Sequence, residues 1–282
     1  MNTGKENRLA RIISKKSNRA LIVPMDHGVT AGPIQGLTEM HATMNDMIAG
    51  GADALVLHKG LIRRCRFADG KRTALIMHLS ASTSLSPHTN SKTLVGSVEE
   101  ALRLGVDAVS VHINLGDSRE HEMLTDMGRV AGQCENWGMP LLAMVYARGP
   151  HVKNSHAPSV VTHCARVGME LGADIVKVPY TDEANTFADV VKACGIPVVL
   201  AGGKRITSDR DFLTMAADAI KAGASGLSVG RNIFQHPRRG RLLKALRGIV
   251  HDNATVDEAL TTLLESGNDS PPTQGFSLAH SE

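Results

Sequence analysis

Aromatic side chains are scarce. One Trp, two Tyr and five Phe make up 3% of 282 residues, too few for the stacking platforms that hold single-stranded nucleic acid. Charge of one sign is lacking as well: the formal net charge of +3 sets up no field for a polyanion, so nucleic acid is not expected as a partner. No run approaches the roughly 18 consecutive apolar residues of a membrane span. The charged opening MNTGKENRLARIISKKSNR has no apolar stretch of the kind a signal peptide needs. Cys65, Cys134, Cys164 and Cys194 are far apart and form no CxxC, which argues against a zinc ribbon or a disulfide framework. These absences predict a soluble, cytoplasmic globular protein without membrane contact.

What is present is one pattern repeated. Eight near-continuous apolar runs, ALIVPM (20–25), ADALVLH (52–58), TALIMHL (73–79), DAVSVHI (107–113), PLLAMVY (140–146), ADIVKV (173–178), IPVVLA (196–201) and SGLSVG (225–230), read as parallel strands buried on both faces. Between them lie helical spacings such as Met40, Met44, Met47, Ile48 and Phe212, Met215, Ala216, Ala219, Ile220. Ser97, Ser118 and Ser208 are expected to cap helices. GGADALVL, LGVDAVSV, LGADIVKV and AGASGLSV echo one another, each with a helix-ending glycine (Gly51, Gly105, Gly172, Gly223) before a strand. The fold class expected is α/β, a single (β/α)8 TIM barrel over residues 1–267; an open doubly wound sheet also fits the alternation. Residues 268–282 are expected to be a disordered tail and residues 1–7 to fray.

The echo also sets direction. Four and six residues past each glycine the positions are uniformly bulky and should face the helices; three, five and seven past it must then face the lumen, because strand period is two. That places Lys177 inward, with His58, Ser110, His112 and Ser228. The same parity turns Asp26 and Tyr146 toward the lumen from the ends of the first and fifth strands. Burial disfavours a lysine ammonium and frees its amine for attack on a carbonyl. A carboxylate and a phenol could move the protons of Schiff-base aldol chemistry. AGGK (201–204) and GRNIF (230–234) follow strands seven and eight, the usual phosphate corner of such barrels. Inward His58, His78 and His112 raise a metal site, but no spaced ligand motif such as HExxH supports one. A catalytically silent phosphosugar-binding barrel would share all of these features.

VPMDHGVTAGPIQGL, LHKG, MHLS, WGMP with MVYARG, ADIVKVPY, AGGK and VGRNIFQH together make the chain similar, over about residues 8–265, to the archaeal-type class I aldolase family. The DHGVxxGPIxGL and LHKG forms resemble the amino-dideoxyheptulosonate synthases of that family more than its fructose-bisphosphate aldolases. The resemblance implies Lys177 as Schiff-base lysine, Tyr146 as proton donor and Asp26 as proton acceptor. It implies substrate binding by Asp26, His27, Gly28, Val29 and Thr30, by Tyr146, Ala147 and Arg148, and by Gly202, Gly203, Gly230 and Arg231. Ala147 stands where the family usually has proline. No metal or cofactor is implied. The expected partners are a phosphorylated ketose and L-aspartate 4-semialdehyde, in a homo-oligomer. The alternatives within this chemistry are a fructose-bisphosphate aldolase and a condensation that uses dihydroxyacetone phosphate.

Overall fold

The computed structural model describes residues 3–64 and 73–265, together with the backbone of 65–66 and 277–278. Eight parallel strands close on themselves: β1 (Ala20–Pro24), β2 (Ala54–Leu57), β3 (Ala74–His78), β4 (Ala108–Leu115), β5 (Leu141–Ala147), β6 (Ile175–Pro179), β7 (Val198–Ala201) and β8 (Gly226–Ser228). Each is bonded to its neighbours in chain order, and β8 returns to β1 through Ala20↔Gly226, Leu21↔Leu227 and Ile22↔Ser228. That closure excludes the open sheet. It also demands a glycine: at Gly226, φ is +130° and an added Cβ would lie 1.9 Å from the Ala20 carbonyl oxygen.

The helices are α1 (Thr3–Ile12), α2 (His27–Ala31), α3 (Met40–Ala49), α4 (Lys59–Ile62), α5 (Val98–Arg103) and α6 (Glu120–Trp137), then α7 (Pro158–Glu170), α8 (Ala184–Cys194), α9 (Asp209–Lys221), α10 (Arg231–Phe234), α11 (Arg239–Asp252) and α12 (Val256–Leu264). Ser97 and Ser208 cap α5 and α9, accepting from the amides of Glu100 and Asp211. Ser118 caps nothing: α6 starts two residues later, and Asp117 accepts from Arg119 N instead. The four echo glycines all take positive φ, between 68° and 95°, as a helix-to-strand turn requires. α1 corrects the expectation of a frayed start. Residues 3–7 are helical, Lys5 is buried, and Ile12, with Leu9 and Ile13, packs against the lumen side chains. Of the tail expected to be disordered, the backbone of Ser277–Leu278 pairs antiparallel with Cys65–Arg66; the rest lies outside the described residues.

Two cores follow from strand parity. Leu55, Leu57, Val109, Val111, Val176, Val178, Leu227 and Val229 pack outward against the helices. Ile22, Ala54, Val56, Ile76, Ala108, Leu142, Met144, Ile175 and Val199 fill the lumen. Fully burying each of the larger side chains contributes about 1.5–3 kcal/mol. The lumen is thus packed between its two ends.

Candidate active site

Lys177 stands on β6 with its register partner Met144 on β5 and Val199 on β7, and it is 7% exposed. Its neighbours on the same face, Ile175 and Met144, belong to the lumen core, so the amine rises from an apolar layer. Tyr146 follows Met144 by one inward step, about 7 Å farther along the strand. The Tyr146 ring is 4.9 Å from that of His112 on β4, and the Arg148 guanidinium carbon lies 4.8 Å from its centroid.

Asp26 sits where β1 turns into α2. Its Oδ2 is 3.6 Å from His78 Nε2 and its Oδ1 3.6 Å from His27 Nδ1. Neither Oδ1 nor that His27 nitrogen has a hydrogen-bond partner among the described residues, although both are buried. Burial works against the ionised form of Asp26, but the fields of His78, His27, Lys177 and His58 outweigh it and hold the carboxyl well below the usual carboxylate range. His78, bonded through Nδ1 to Ser110 Oγ at 2.8 Å, is pushed down to about 4, chiefly by burial. Burial also lowers His27, His58 and His112. No three His, Cys, Asp or Glu side chains among the described residues are grouped to hold a metal ion.

The other side of the mouth is built from the loops after β7 and β8. Gly203 takes φ +61°, and Arg231 Nη2 donates to its carbonyl at 2.9 Å. Asn232 ties the two loops together, donating to Gly202 O at 2.7 Å and Lys204 O at 3.1 Å and accepting from Ile206 N at 2.7 Å. At Gly230 an added Cβ would lie 2.5 Å from Pro24 O and 2.9 Å from the His27 ring. Only a glycine lets these loops meet the start of α2.

Asp26, His27, Tyr146, Arg148 and Lys177 thus surround one mouth, with Gly202, Gly203, Gly230 and Arg231 along its β7–β8 edge. Val29 is exposed, Gly28 has open space around it, and the Thr30 carbonyl accepts from Ser84 N. The Ala147 methyl points away from the lumen, in the outer core. Lys92, Asn232 and buried Ser228, whose Oγ has no partner among the described residues, belong to the site region. Ser228 carried the inward parity signal; Lys92 lies in a loop with no periodicity to read. A recess of about 740 Å³ lies outside the lumen, between α6 and α7, lined by Leu124, Val160, Val167 and Leu171. Shape alone would point there, but reaction needs the titratable groups of the mouth.

Comparison with known proteins agrees with this geometry. A family model described as DeoC/LacD family aldolase matches residues 20–236. The chain is 43% identical over 257 residues to a 2-amino-3,7-dideoxy-D-threo-hept-6-ulosonate synthase of Archaeoglobus fulgidus, covering 91% of this chain and 95% of the relative. It is 41% identical over 248 residues to a 2-amino-4,5-dihydroxy-6-oxo-7-(phosphonooxy)heptanoate synthase of Streptomyces griseus, covering 88% and 90%. Among solved structures, an archaeal fructose-1,6-bisphosphate aldolase with its catalytic lysine bound to a carbinolamine intermediate is similar at 30% identity. Its TM-score is 0.81, with 88% of this chain and 99% of that one covered.

Proposed function

The chain belongs to the DeoC/LacD family of aldolases, and on that premise we propose that it binds a phosphorylated ketose as a Schiff base on Lys177 and joins a three-carbon unit of it to L-aspartate 4-semialdehyde. The observation that carries this reading is a lysine raised from an apolar lumen between a carboxylate and a phenol. The Lys177 amine attacks the ketone, and loss of water leaves an imine. Its carbon–carbon cleavage or deprotonation gives an enamine, which adds to the aldehyde carbon. Tyr146 supplies and recovers the proton on the reacting oxygen, and Asp26, with its unpartnered Oδ1, accepts the others. Gly202, Gly203, Gly230 and Arg231 take the phosphate, while the backbone of 28–30 and 147 lines the rim.

Two donors fit the chemistry. 1-Deoxy-D-threo-hexo-2,5-diulose 6-phosphate would give 2-amino-3,7-dideoxy-D-threo-hept-6-ulosonate and release a three-carbon phosphorylated aldehyde; this is our leading reading. Dihydroxyacetone phosphate is the second reading, favoured by the name of the Streptomyces griseus relative, whose product keeps a phosphate on carbon 7. A donor panel with aspartate semialdehyde, read by mass spectrometry, separates them: the seven-carbon product lacks phosphorus in the first case and carries it in the second. Borohydride added with the donor should fix mass on the Lys177 peptide, and label on Lys59 or Lys204 instead would overturn the assignment. A cytoplasmic homo-oligomer belongs to the same reading. The compartment is supported by the burial of Cys134 and Cys164, whose thiols burial pushes up to about 12, as suits a reducing environment. Sedimentation velocity tests the assembly.

A further inference from the structure

We propose that Lys92 and Arg148 form a second anion subsite, which holds the carboxylate of the aldehyde substrate across the barrel mouth from the glycine loops. The inference rests on the preceding reading, that an acidic aldehyde is joined to a lysine-bound donor.

The loop after β3 is folded back as a small hairpin, Ser80–Ala81 against Thr93–Leu94. It is pinned to β4 on both sides. Ser80 Oγ accepts from His112 N at 3.0 Å, and Asn114 Nδ2 donates to Asn90 O at 2.6 Å. This places Lys92 half-buried above the β2–β4 wall, with its Nζ donating to Ser82 Oγ at 2.5 Å. Its field reaches His58, His78 and His112. Arg148 comes to the same wall from β5. Its backbone amide donates to Leu115 O at 2.8 Å, and its guanidinium lies over Tyr146, whose ring packs on His112.

Neither cation has a carboxylate within 4.0 Å among the described residues. Lys59 and Arg63, by contrast, share Glu100, and Lys5 pairs with Asp174 and Glu135. Asp117 lines a cavity of about 610 Å³ beside Arg148 but is already held by Ser91 Oγ at 2.6 Å and Arg119 N at 2.9 Å. Burial, followed by the Arg148 charge, pulls the Lys92 ammonium below its ordinary range. Two like charges so placed are stabilised by an anion between them.

Position decides which anion. β3–β5 lie across the barrel from β7–β8, so an anion here is far from the phosphate loops. The enamine carbon must meet the aldehyde beside Tyr146, whose hydroxyl serves the aldehyde oxygen. The other end of the aldehyde then runs away from Lys177, toward Lys92 and Arg148.

The test uses the intact enzyme and steady-state kinetics. Lys92→Gln should raise KM for aspartate semialdehyde roughly 10- to 100-fold, the loss expected for one charged hydrogen bond. KM for the donor, and donor trapping on Lys177, should stay within about twofold. Lys92→Arg should restore the acceptor KM. An aldehyde lacking the carboxylate should be a poor acceptor for the parent enzyme, with Lys92→Gln no longer discriminating against it. Ser82→Ala removes the hairpin bond but keeps the charge, so its acceptor KM should match the parent's. An unchanged acceptor KM in Lys92→Gln, or a rise confined to the donor KM, overturns the subsite. No turnover of aspartate semialdehyde by the parent enzyme overturns the reaction itself, a separate outcome.

Discussion

The two ends of the barrel treat buried polar groups in opposite ways. At the N-terminal end, three of the four echoed segments place an aspartate just before an even strand. Asp53, Asp107 and Asp174 each accept from the first or second amide of the preceding strand, Leu21, Leu75 and Leu141, at 2.7–3.0 Å. Each also holds a basic group: His251 at 2.8 Å, Arg11 at 2.8 Å and Lys5 at 3.2 Å respectively. The fourth echo has Ser225 in that place; its backbone carbonyl accepts from Ala20 N at 2.9 Å and its amide donates to Val198 O at 2.8 Å. At the C-terminal mouth, Asp26 Oδ1, His27 Nδ1 and Ser228 Oγ have no partners among the described residues, and Lys92 and Arg148 no counter-ions among them. One end joins strands and helices; the other keeps donors and charges available for a ligand. Unsatisfied buried groups destabilise the free protein, so the paired end must supply what the open end forgoes.

That division can be broken at each end. The largest effect belongs to the mouth: Tyr146→Phe keeps the ring on His112 and removes the hydroxyl, so turnover should fall about 10²–10⁴-fold while donor trapping on Lys177 persists. Measuring both on one preparation decides it, and near-normal turnover would leave Asp26 as the sole proton carrier. The opposite end should respond in stability instead. Asp107 is fully buried, and Asp107→Ala removes the acceptor of Leu75 N together with the Arg11 pair. Urea unfolding should show a loss of about 2–3 kcal/mol, with turnover unchanged below the melting range. A loss of turnover without loss of stability would contradict the division.

The smallest effect concerns pH. His78 binds its proton at about 4 in the folded chain against an ordinary 6.5. As pH falls below 6.5 the unfolded chain takes up the proton first, so stability declines between pH 6.5 and 4 and this contribution levels off below 4. His27, His58 and His112 shift in the same direction. His78→Gln should therefore flatten, not abolish, the pH dependence of urea midpoints across that window, and an unchanged slope would remove His78 as a contributor.

Local chemistry explains why so much of this molecule was legible in its sequence. Strands buried on both faces must read as apolar runs, helix-ending turns need glycine, and strand period two separates Lys177 from Val176 and Val178. The inward parity of Lys177, Tyr146 and Asp26 follows from those rules alone, as does the presence of eight strands. Misreadings occurred where a local signal had competitors. Ser118 has a capping side chain, but Asp117 takes the amide beside it; the N-terminal residues were expected to fray, but Lys5 meets Asp174 at the barrel floor.

Tertiary structure alone decided closure of β8 on β1, the meeting of the glycine loops through Asn232, and above all the place of Lys92. Its loop carries no periodicity, and its position depends on bonds from the hairpin to His112 and Asn114. The eight strands, their parity and the candidate lysine are properties of residues a few positions apart, so the sequence determined them by itself. A pair of cations facing one mouth from separate strands depends on how far the barrel turns between them, and only the folded chain sets that angle.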